Sequence, residues 1–374
     1  MAPQSSVQML KHTRVMRTYT GGKLMDAWQG ISPAQDGYMP ESWIASTITS
    51  RYDPDPHAGL SFIAGGEADG LSLRDYIAQA PEARLGTRHY GTHGENLGFL
   101  TKIIDSDARL NIQTHPDRAK AKKYFSSDYG KTEAWYVIGT REVDGEPPYI
   151  LMGFKPGITK DLWRRLADAQ DIEGLVSWLH KIPVKPGDVF FIDSGMPHAI
   201  GSGCLIAEIQ EPTDITLRVE RKNGPDGTPY PDEVYHQGIG FDLMFECFDY
   251  IGYSEAELLA NAQVEPLILA QGADFEYASL IGPAQTPFFS MDKLSVHGSC
   301  SLGPVEHFRT AVVLSGSGRL VQGGRELRAA ALAPSAELFI PPTQDPVEIS
   351  SQGGSLELLV CSPPGSRMGS DPAD

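Results

Sequence analysis

Four side chains with metal-binding chemistry are spaced so that a β fold can bring them together. Gln113 and His115 are two residues apart, and in a strand this spacing puts both side chains on one face. Glu133 opens a later β-like run, and His198 follows a Pro-Gly-Asp turn and a short strand. Two imidazoles, a carboxylate and an amide oxygen make a mixed donor set, which predicts a divalent metal site and favours zinc. Spacing alone leaves a second interpretation open, in which the histidines are hydrogen-bonding residues of the core.

The segments that carry these residues have the composition of short β-strands. Aromatic and β-branched residues, which favour strands, lie between turns built from Gly, Pro, Asp and Ser. Glycine and proline supply 39 and 28 of the 374 residues, a surplus typical of a turn-rich β architecture. The chain before Gly98 is expected to be irregular, with short strands. Beyond it we predict strands at 99–104, 110–113, 134–138, 149–152, 189–192, 204–210 and 214–219.

One segment in this β region has helical spacing. From Thr159 to Lys181 apolar residues recur at intervals of three and four, with charged residues between them. Thr159 has the type and position of an N-cap residue, and Pro183 lies just beyond the end. The pattern predicts a helical insertion over about 157–182.

The chain after residue 250 is expected to form a connection and a second, smaller β unit. Ser254 and Glu257 have the spacing of a capping box, which predicts a helix up to Ala262 within a helical connection over 251–270. Strands are predicted near 288–296, 309–314, 318–321 and 337–340, in a unit spanning 271–362. The last residues, 363–374, are rich in Pro, Ser, Gly and Asp and are expected to be a disordered tail. Two β units of this kind suggest a pair of jelly rolls.

The charge balance limits the partners of this chain. The 31 Lys and Arg residues oppose 48 Asp and Glu residues, and the formal net charge of −17 argues against nucleic acid or an anionic membrane surface. A phosphorylated small molecule remains compatible, because the stretch 98–133 holds more basic than acidic residues. The four cysteines are scattered, which indicates reduced thiols. Without an apolar leader or spanning run, we expect a cytoplasmic protein.

Several motifs resemble, in order, those of one enzyme family. They are Leu110-Asn-Ile-Gln-Thr-His-Pro-Asp117, Gly130-Lys-Thr-Glu-Ala-Trp-Tyr136, Lys185-Pro-Gly-Asp-Val-Phe-Phe191, Gly195-Met-Pro-His-Ala-Ile-Gly201, Ala207-Glu-Ile-Gln-Glu211 and Thr213-Asp-Ile-Thr-Leu-Arg-Val219. Together they resemble the type I phosphomannose isomerases of the cupin superfamily, in a short bacterial-like form. The resemblance implies a mainly β fold of two cupin-type jelly-roll β-barrels with a small helical insertion. It also implies a catalytic cupin domain at 1–250 and a C-terminal cupin-like domain at 271–362. The metal position of that second domain falls near Gln344 and Asp345, so we expect no metal there and a structural or lid role.

The resemblance carries a candidate site onto numbered residues. One zinc ion per chain is implied at Gln113, His115, Glu133 and His198, the catalytic group comprises Arg218, Lys131, Glu208 and Asp214, and the substrate phosphate falls to Lys102 and Asn111. Asn111 stands where family members often have serine, a departure that bears on phosphate recognition.

The implied activity is a zinc-dependent interconversion of mannose 6-phosphate and fructose 6-phosphate through an enediol. Arg218 would stabilise the oxyanion electrostatically, and Lys131 or Glu208 would move the proton. The partner would be a small sugar phosphate, and the sequence leaves the oligomeric state undetermined between a monomer and a weak dimer. The alternatives are a cupin isomerase for another sugar or sugar phosphate, a non-catalytic metal-bound sugar sensor, and an iron cupin oxygenase, against which the Gln ligand and the Lys-Thr-Glu context argue.

Several of these residues also have a plain structural interpretation. Asp214 and Glu208 can serve only to orient their neighbours, and Lys102 can be an ordinary surface charge. His89 and His93 have the four-residue spacing of a metal motif, but the surrounding Gly and Thr predict a loop, so neither is assigned a function.

Overall fold

The computed structural model describes residues 6–50, 53, 55–224, 227–323, 325–342 and 345–366. In this part of the chain the structure is mainly β, as predicted. The strands are β1 (Gln8–Leu10), β2 (Arg14–Val15), β3 (Glu41–Ile44), β4 (Ile63–Ala64), β5 (Leu100–Ser106), β6 (Gln113–Thr114), β7 (Glu133–Thr140), β8 (Tyr149–Phe154), β9 (Leu179–Pro183), β10 (Val189–Ile192), β11 (His198–Ile200), β12 (Cys204–Gln210), β13 (Leu217–Arg218), β14 (Leu267–Gln271), β15 (Phe275–Ile281), β16 (Ser290–Val296), β17 (Ser299–Leu302), β18 (Arg309–Ser315), β19 (Gly318–Gln322), β20 (Arg325–Leu332), β21 (Glu337–Ile340), β22 (Val347–Ser351) and β23 (Leu356–Ser362).

The helices are short and lie between the strands. They are α1 (Lys23–Trp28), α2 (Leu73–Ala78), α3 (Pro81–Leu85), α4 (Thr87–His93), α5 (Arg118–Phe125), α6 (Lys160–Asp168), α7 (Ile172–Ser177), α8 (Glu233–His236), α9 (Phe241–Glu246) and α10 (Glu255–Ala262). Within the described residues, no helix has the length and apolar character that crossing a bilayer requires.

Two sheets of the N-terminal part enclose the region of the predicted site. One sheet has the strand order β10-β7-β12-β5-β3-β2 and the other the order β13-β6-β11-β8-β9. Their apolar residues meet in one buried cluster, with Ile104 and Trp135 from the first sheet and Ile150 and Met152 from the second. The two sheets therefore pack face to face, and side chains on their inner faces share one interior.

The C-terminal part forms an eight-stranded sheet that covers the outside of the first sheet. The order is β14-β15-β16-β23-β18-β21-β1-β4, beside a smaller sheet β17-β22-β19-β20. Ala207 and Ile209, on the outer face of β12, join a buried cluster with Val312 and Phe339 of the eight-stranded sheet. Strand β12 is thus buried on both faces, and its alternation sends Ala207 outwards and Glu208 inwards.

The N-terminal strand belongs to the C-terminal sheet, which the sequence did not suggest. Met9 pairs with Leu338 of β21 on one side and with Ala64 of β4 on the other. The division into a catalytic part at 1–250 and a second part at 271–362 remains a prediction, but residues 8–10 add a strand to the second part's sheet. The predicted tail largely lies outside the described residues, as does Gln344.

The helical insertion is real but shorter than predicted. The Thr159 hydroxyl accepts a hydrogen bond from the Leu162 amide at 3.2 Å, as an N-cap does. Gln170 then takes a left-handed conformation, with φ of 52°, and ends the first helix, so two helices form in place of one. The prediction of helix up to residue 182 is wrong, because Leu179–Pro183 pairs with β8 and satisfies its backbone in a sheet.

Further along, the helix α10 carries the predicted capping box, since Ser254 and Glu257 bond each other's backbone amides. The expected helical connection ends there, however, and Leu267–Gln271 is a strand that pairs with β15. Strands β16, β18, β19 and β21 confirm the four that were predicted in the C-terminal part. The strands predicted at 110–113 and 214–219 are reduced to two-residue pairings, β6 and β13.

The region before Gly98 was expected to be irregular with short strands, but its described residues hold four helices, α1 to α4. The Ser72 hydroxyl caps α2 by accepting from the Asp75 amide at 3.0 Å, and α3 begins with proline. The prediction of a loop at His89 and His93 is wrong, since both lie on α4, with their rings stacked at 4.8 Å. His89 bonds the Asn96 carbonyl, so it is a hydrogen-bonding residue of the core.

Candidate active site

The register of the first sheet places four large side chains in one row on its inner face. Trp43 of β3 pairs with Lys102 of β5, Lys102 pairs with Glu208 of β12, and Glu208 pairs with Trp135 of β7. Directly opposed residues of neighbouring strands point to the same face, so the lysine and the glutamate lie side by side between two indole rings. The Trp135 indole N–H donates a hydrogen bond to Glu208 Oε2 at 3.2 Å.

The register of the facing sheet builds a second row. Gln113 of β6 pairs with Arg218 of β13 on one side and with His198 of β11 on the other. His115 follows β6 directly, two residues after Gln113 and on the same face. The predicted residues that are far apart in sequence are therefore brought together by two-residue strands with fixed pairing.

A cluster of three potential ligands lies where the two rows meet. The side chains of His115, Glu133 and His198 are fully buried, and their ligand atoms lie within 4.8 Å of one another. Glu133 Oε2 is 3.1 Å from His115 Nε2, and Glu133 Oε1 is 3.3 Å from His198 Nε2. Among the described residues, Glu133 Oε1 has no hydrogen-bond partner. This carboxylate oxygen is buried, accepts no hydrogen bond from the described residues and lies beside an imidazole nitrogen. Such a position suits a bound cation.

The two imidazoles are held with the correct nitrogen facing the cluster. His115 Nδ1 donates to the Ile215 carbonyl at 2.8 Å, and His198 Nδ1 donates to the Met196 carbonyl at 2.9 Å. These bonds fix the tautomer, so both Nε2 lone pairs point inwards. Burial, with the nearby Lys131 charge, lowers the pKa of His115 to about 3, and burial also lowers the pKa of His198. Both rings are neutral at physiological pH, which is the form that binds a metal.

Gln113 completes the donor set from the side of His198. Its amide nitrogen lies 3.3 Å from His198 Nε2. A half-turn of the amide group exchanges nitrogen and oxygen, so the same position can present a carbonyl oxygen to a cation. The residues present therefore fit a divalent metal with two nitrogen and two oxygen ligands.

Lys131 lies against the cluster from the first sheet's side. Its ammonium group is 2.5 Å from Glu133 Oε2 and 3.0 Å from His115 Nε2, and it is buried. Burial disfavours its charge, but the carboxylates of Glu133 and Glu208 outweigh this and raise the pKa of Lys131. The lysine is therefore a fixed positive charge at the edge of the cluster.

A cavity that is open to solvent lies beside the cluster. Its wall includes residues from the predicted metal, catalytic and phosphate groups, together with residues of an N-terminal segment. The lining residues are Arg17, Thr18, Tyr19, Glu41, Lys102, Ile104, Leu110, Asn111, Gln113, Lys131, Ile200, Glu208, Thr216 and Arg218.

Glu208 is one of two carboxylates that line this cavity, and Glu41 is the other among the described residues. Glu208 is 2 % exposed, and among the described residues its Oε1 atom has no hydrogen-bond partner, although Lys102 Nζ is 3.3 Å away. Burial, with the nearby Glu133 charge, raises the pKa of Glu208. The interpretation of Lys102 as a surface charge is wrong, because the side chain is buried beneath the cavity between Glu208 and Asp214.

Arg218 and Asn111 line the side of the cavity formed by the second sheet. The Arg218 guanidinium donates to the carbonyls of Thr216 and Val234, at 3.2 and 3.1 Å, which fixes its direction. The Asn111 amide nitrogen donates to the Glu220 carbonyl at 2.9 Å. Asp214 lies deeper, and its pKa is lowered because neighbouring Arg17 and Lys102 charges outweigh the effect of burial.

Four cavity residues from the N-terminal region were not found from the sequence, namely Arg17, Thr18, Tyr19 and Glu41. Arg17 binds Glu41 and Asp214, and the Tyr19 hydroxyl donates to Glu41 at 2.6 Å. No spacing rule connects this segment with the motifs after residue 98. The sequence shows only a charged residue, Arg17, two positions before an aromatic one, Tyr19. This pattern does not identify the residues that Arg17 contacts.

Two solved structures share the fold over almost the whole chain. The mannose 6-phosphate isomerase from Bacillus subtilis superposes with a TM-score of 0.74, is 22% identical, and the alignment covers 96% of this chain and 99% of that chain. A putative mannosephosphate isomerase from Archaeoglobus fulgidus gives a TM-score of 0.70 at 15% identity, with 97% and 100% covered. The chain therefore has the cupin fold of these structures, and its buried His-Glu-His cluster is a candidate metal centre.

Sequence comparison narrows the class to one family. The type I phosphomannose isomerase catalytic domain matches residues 58–134, which contain Gln113, His115 and Glu133. A mannose-6-phosphate isomerase from Streptococcus mutans is 31% identical over 303 residues, 81% of this chain and 84% of that protein. A probable mannose-6-phosphate isomerase from Bacillus subtilis is 29% identical over 310 residues, 82% and 85% of the two chains. The chain therefore belongs to the mannose-6-phosphate isomerase family and is an enzyme of this type.

Proposed function

We propose that this chain interconverts mannose 6-phosphate and fructose 6-phosphate, with a zinc ion held by Gln113, His115, Glu133 and His198. The observation that carries the proposal is the position of the buried ligand cluster beside an open cavity. The same cavity is lined by a carboxylate, Glu208, and by two cations, Lys131 and Arg218. Family membership supplies the reaction, and the relatives whose names specify mannose 6-phosphate supply the substrate.

The donor set supports a redox-inert divalent metal. When bound, such an ion polarises a carbonyl or hydroxyl oxygen of the sugar without exchanging electrons. Two imidazoles, a carboxylate and an amide oxygen suit zinc. An iron oxygenase would use two histidines and one carboxylate and keep further positions open for oxygen, whereas Gln113 here supplies a fourth donor.

Glu208 is the group we propose to move the proton between C1 and C2. The reaction removes a proton from one carbon to form an enediol and returns it to the neighbouring carbon. A carboxylate can do both when it lies at the cavity wall and its pKa is raised towards neutrality. Glu208 meets both conditions, and its Oε1 oxygen is 3.9 Å from Lys131 Nζ. Lys131 then stabilises negative charge on the sugar oxygens. It is the second candidate for the shuttle, but its raised pKa disfavours the neutral amine that would have to accept the proton.

Arg218 is proposed to stabilise the same developing charge from the opposite wall. A guanidinium stays protonated throughout, and this one is pre-oriented by two backbone carbonyls, so little rearrangement accompanies the reaction. We place the substrate phosphate on the side lined by Asn111 and Arg218. Lys102 contributes its charge from beneath, since its ammonium group already contacts Glu208 and Asp214.

A coupled assay tests the proposal on the metal-analysed protein. Mannose 6-phosphate, free mannose and glucose 6-phosphate are offered in parallel, and zinc and iron are measured in the same preparation. We expect turnover of mannose 6-phosphate above the other sugars, and zinc near one per chain. Preferred turnover of a different sugar would show that the proposed substrate is wrong. Absence of turnover with bound metal would indicate a sensor, and bound iron with oxygen uptake would indicate an oxygenase.

A further inference from the structure

Arg17 is a buried arginine at the cavity that the proposed reaction does not use. Its Nε atom donates to Glu41 at 2.8 Å, and its two terminal nitrogens donate to the two oxygens of Asp214 at 3.2 and 2.9 Å. The guanidinium lies over the Trp43 ring, 5.3 Å from its centroid. All three nitrogens are therefore engaged by carboxylates, so Arg17 is arranged to hold acids in place and not to receive a phosphate.

The two acids connect Arg17 to the proton-transfer site. Asp214 Oδ1 is 3.8 Å from Lys102 Nζ, while Glu208 Oε1 is 3.3 Å from the same nitrogen. Two buried carboxylates thus compete for one ammonium group. Because Arg17 binds both oxygens of Asp214, the Lys102 ammonium group lies closer to Glu208 than to Asp214. Loss of the guanidinium would leave Asp214 without its bidentate partner and draw Lys102 away from Glu208.

The segment that delivers Arg17 is anchored on the C-terminal sheet. Residues Gln8–Leu10 pair with β21 and β4, and Arg14–Val15 then pair with β3. The Arg17 amide donates to the Tyr38 carbonyl at 3.0 Å. The chain therefore runs from the C-terminal sheet to the cavity within a few residues, which gives that sheet a part in building the site.

We propose that Arg17 is a positioning residue for the isomerisation, acting through Asp214 and Lys102 to hold Glu208 in its working position. This rests on the proposed function for the role of Glu208, but the arrangement of the three side chains does not depend on it. The role differs from substrate binding in its kinetic signature. A misplaced proton-transfer group lowers kcat, whereas a lost phosphate contact raises KM.

The test compares Arg17→Met, Arg17→Lys and Arg17→Ala with Arg14→Met. Arg14 is a matched control, since it lies in the same segment and is ion-paired with Asp26 at 2.9 Å, but it does not line the cavity. We expect Arg17→Met to lower kcat by about 10- to 100-fold with KM within about threefold, and with zinc content unchanged. Arg17→Lys should be intermediate, and added guanidinium should restore part of the activity of Arg17→Ala. Arg14→Met should match the wild type.

A crystal structure of Arg17→Met separates this proposal from the assignment of the reaction. We expect Lys102 Nζ to lie closer to Asp214 than to Glu208 in the variant. If Lys102 keeps its contact with Glu208, if kcat stays within twofold of the wild type, or if KM rises while kcat is retained, the positioning role is wrong. Wild-type protein that turns over no hexose phosphate would overturn the proposed function, while the position of Lys102 would still decide the role of Arg17.

Discussion

Replacement of Glu208 by glutamine removes one charge and one proton-accepting oxygen from the cavity wall. The substitution keeps nearly the same volume and leaves an oxygen to accept from the Trp135 indole. Lys102 loses its partner at 3.3 Å but retains Asp214 at 3.8 Å. The fold should therefore lose less than the roughly 3–5 kcal/mol that breaking an isolated buried pair costs. None of the four proposed metal ligands is changed.

The expected kinetic loss is much larger than the loss of stability. A positioned acid–base group contributes about 10²- to 10⁴-fold to a rate, which corresponds to roughly 2.7–5.5 kcal/mol of activation free energy. We predict that Glu208→Gln lowers kcat by this factor and leaves KM within a fewfold range, because the carboxylate acts on the transition state and not on the bound sugar.

Two assays measure this prediction on the same preparations. The coupled assay gives kcat and KM, and NMR in D₂O follows the incorporation of deuterium at C1 and C2 of the sugar phosphate. Metal analysis confirms that zinc is retained. Glu211→Gln is the matched control, since Glu211 is a buried carboxylate three residues further on, but it is paired with Arg118 at 2.6 Å and does not line the cavity. A Glu208→Gln enzyme that exchanges the C2 proton and turns over at the Glu211→Gln rate would refute the role of Glu208.

Three further predictions follow from individual contacts. Lys131→Met should lower kcat by about 100-fold, and retained activity would contradict this. The zinc affinity, measured by chelator competition, should stay unchanged or become tighter, because an ammonium group 3.0 Å from His115 Nε2 opposes a cation there. Asn111→Ala should raise KM for mannose 6-phosphate about three- to tenfold at constant kcat, and an unchanged KM would remove Asn111 from the phosphate side. Glu337→Gln should stabilise the protein by at least about 1 kcal/mol at pH 8 and little at pH 4, as measured by urea unfolding. Equal stabilisation at both pH values would contradict this prediction. Burial raises the pKa of Glu337 well above its usual value, so the native state holds it protonated and loses stability relative to the ionised unfolded chain as pH rises.

The ligand candidates could be named from the sequence through local spacing and the resemblance of the motifs. The spacing of Gln113 and His115 defines one face of a strand, and a run of aromatic and β-branched residues opens at Glu133. Their meeting with His198 depends on strand pairing. The Thr159 cap and the Ser254 capping box were likewise readable, since they depend on residues within one helical turn.

The features that were missed depend on which strands pair. Arg17 meets Asp214 because β2, which precedes it, pairs with β3, and β3 pairs with β5. The alternation of side chains identifies a face but not a neighbouring strand. The same limit explains Leu179–Pro183, where apolar spacing fits both a helix and a strand, and pairing with β8 decides the outcome. The burial of Lys102 has a similar cause, because its surroundings are set by strands more than fifty residues away in sequence.

We propose that this chain moves a proton between C1 and C2 of mannose 6-phosphate with the help of a metal at the His115–Glu133–His198 cluster. One NMR experiment in D₂O tests it, with the protein stripped of metal by a chelator and then reconstituted with zinc. The proposed function predicts conversion to fructose 6-phosphate after reconstitution, and neither product nor deuterium exchange before it. Unchanged mannose 6-phosphate with the zinc-loaded protein, or equal turnover with the stripped protein, would contradict it.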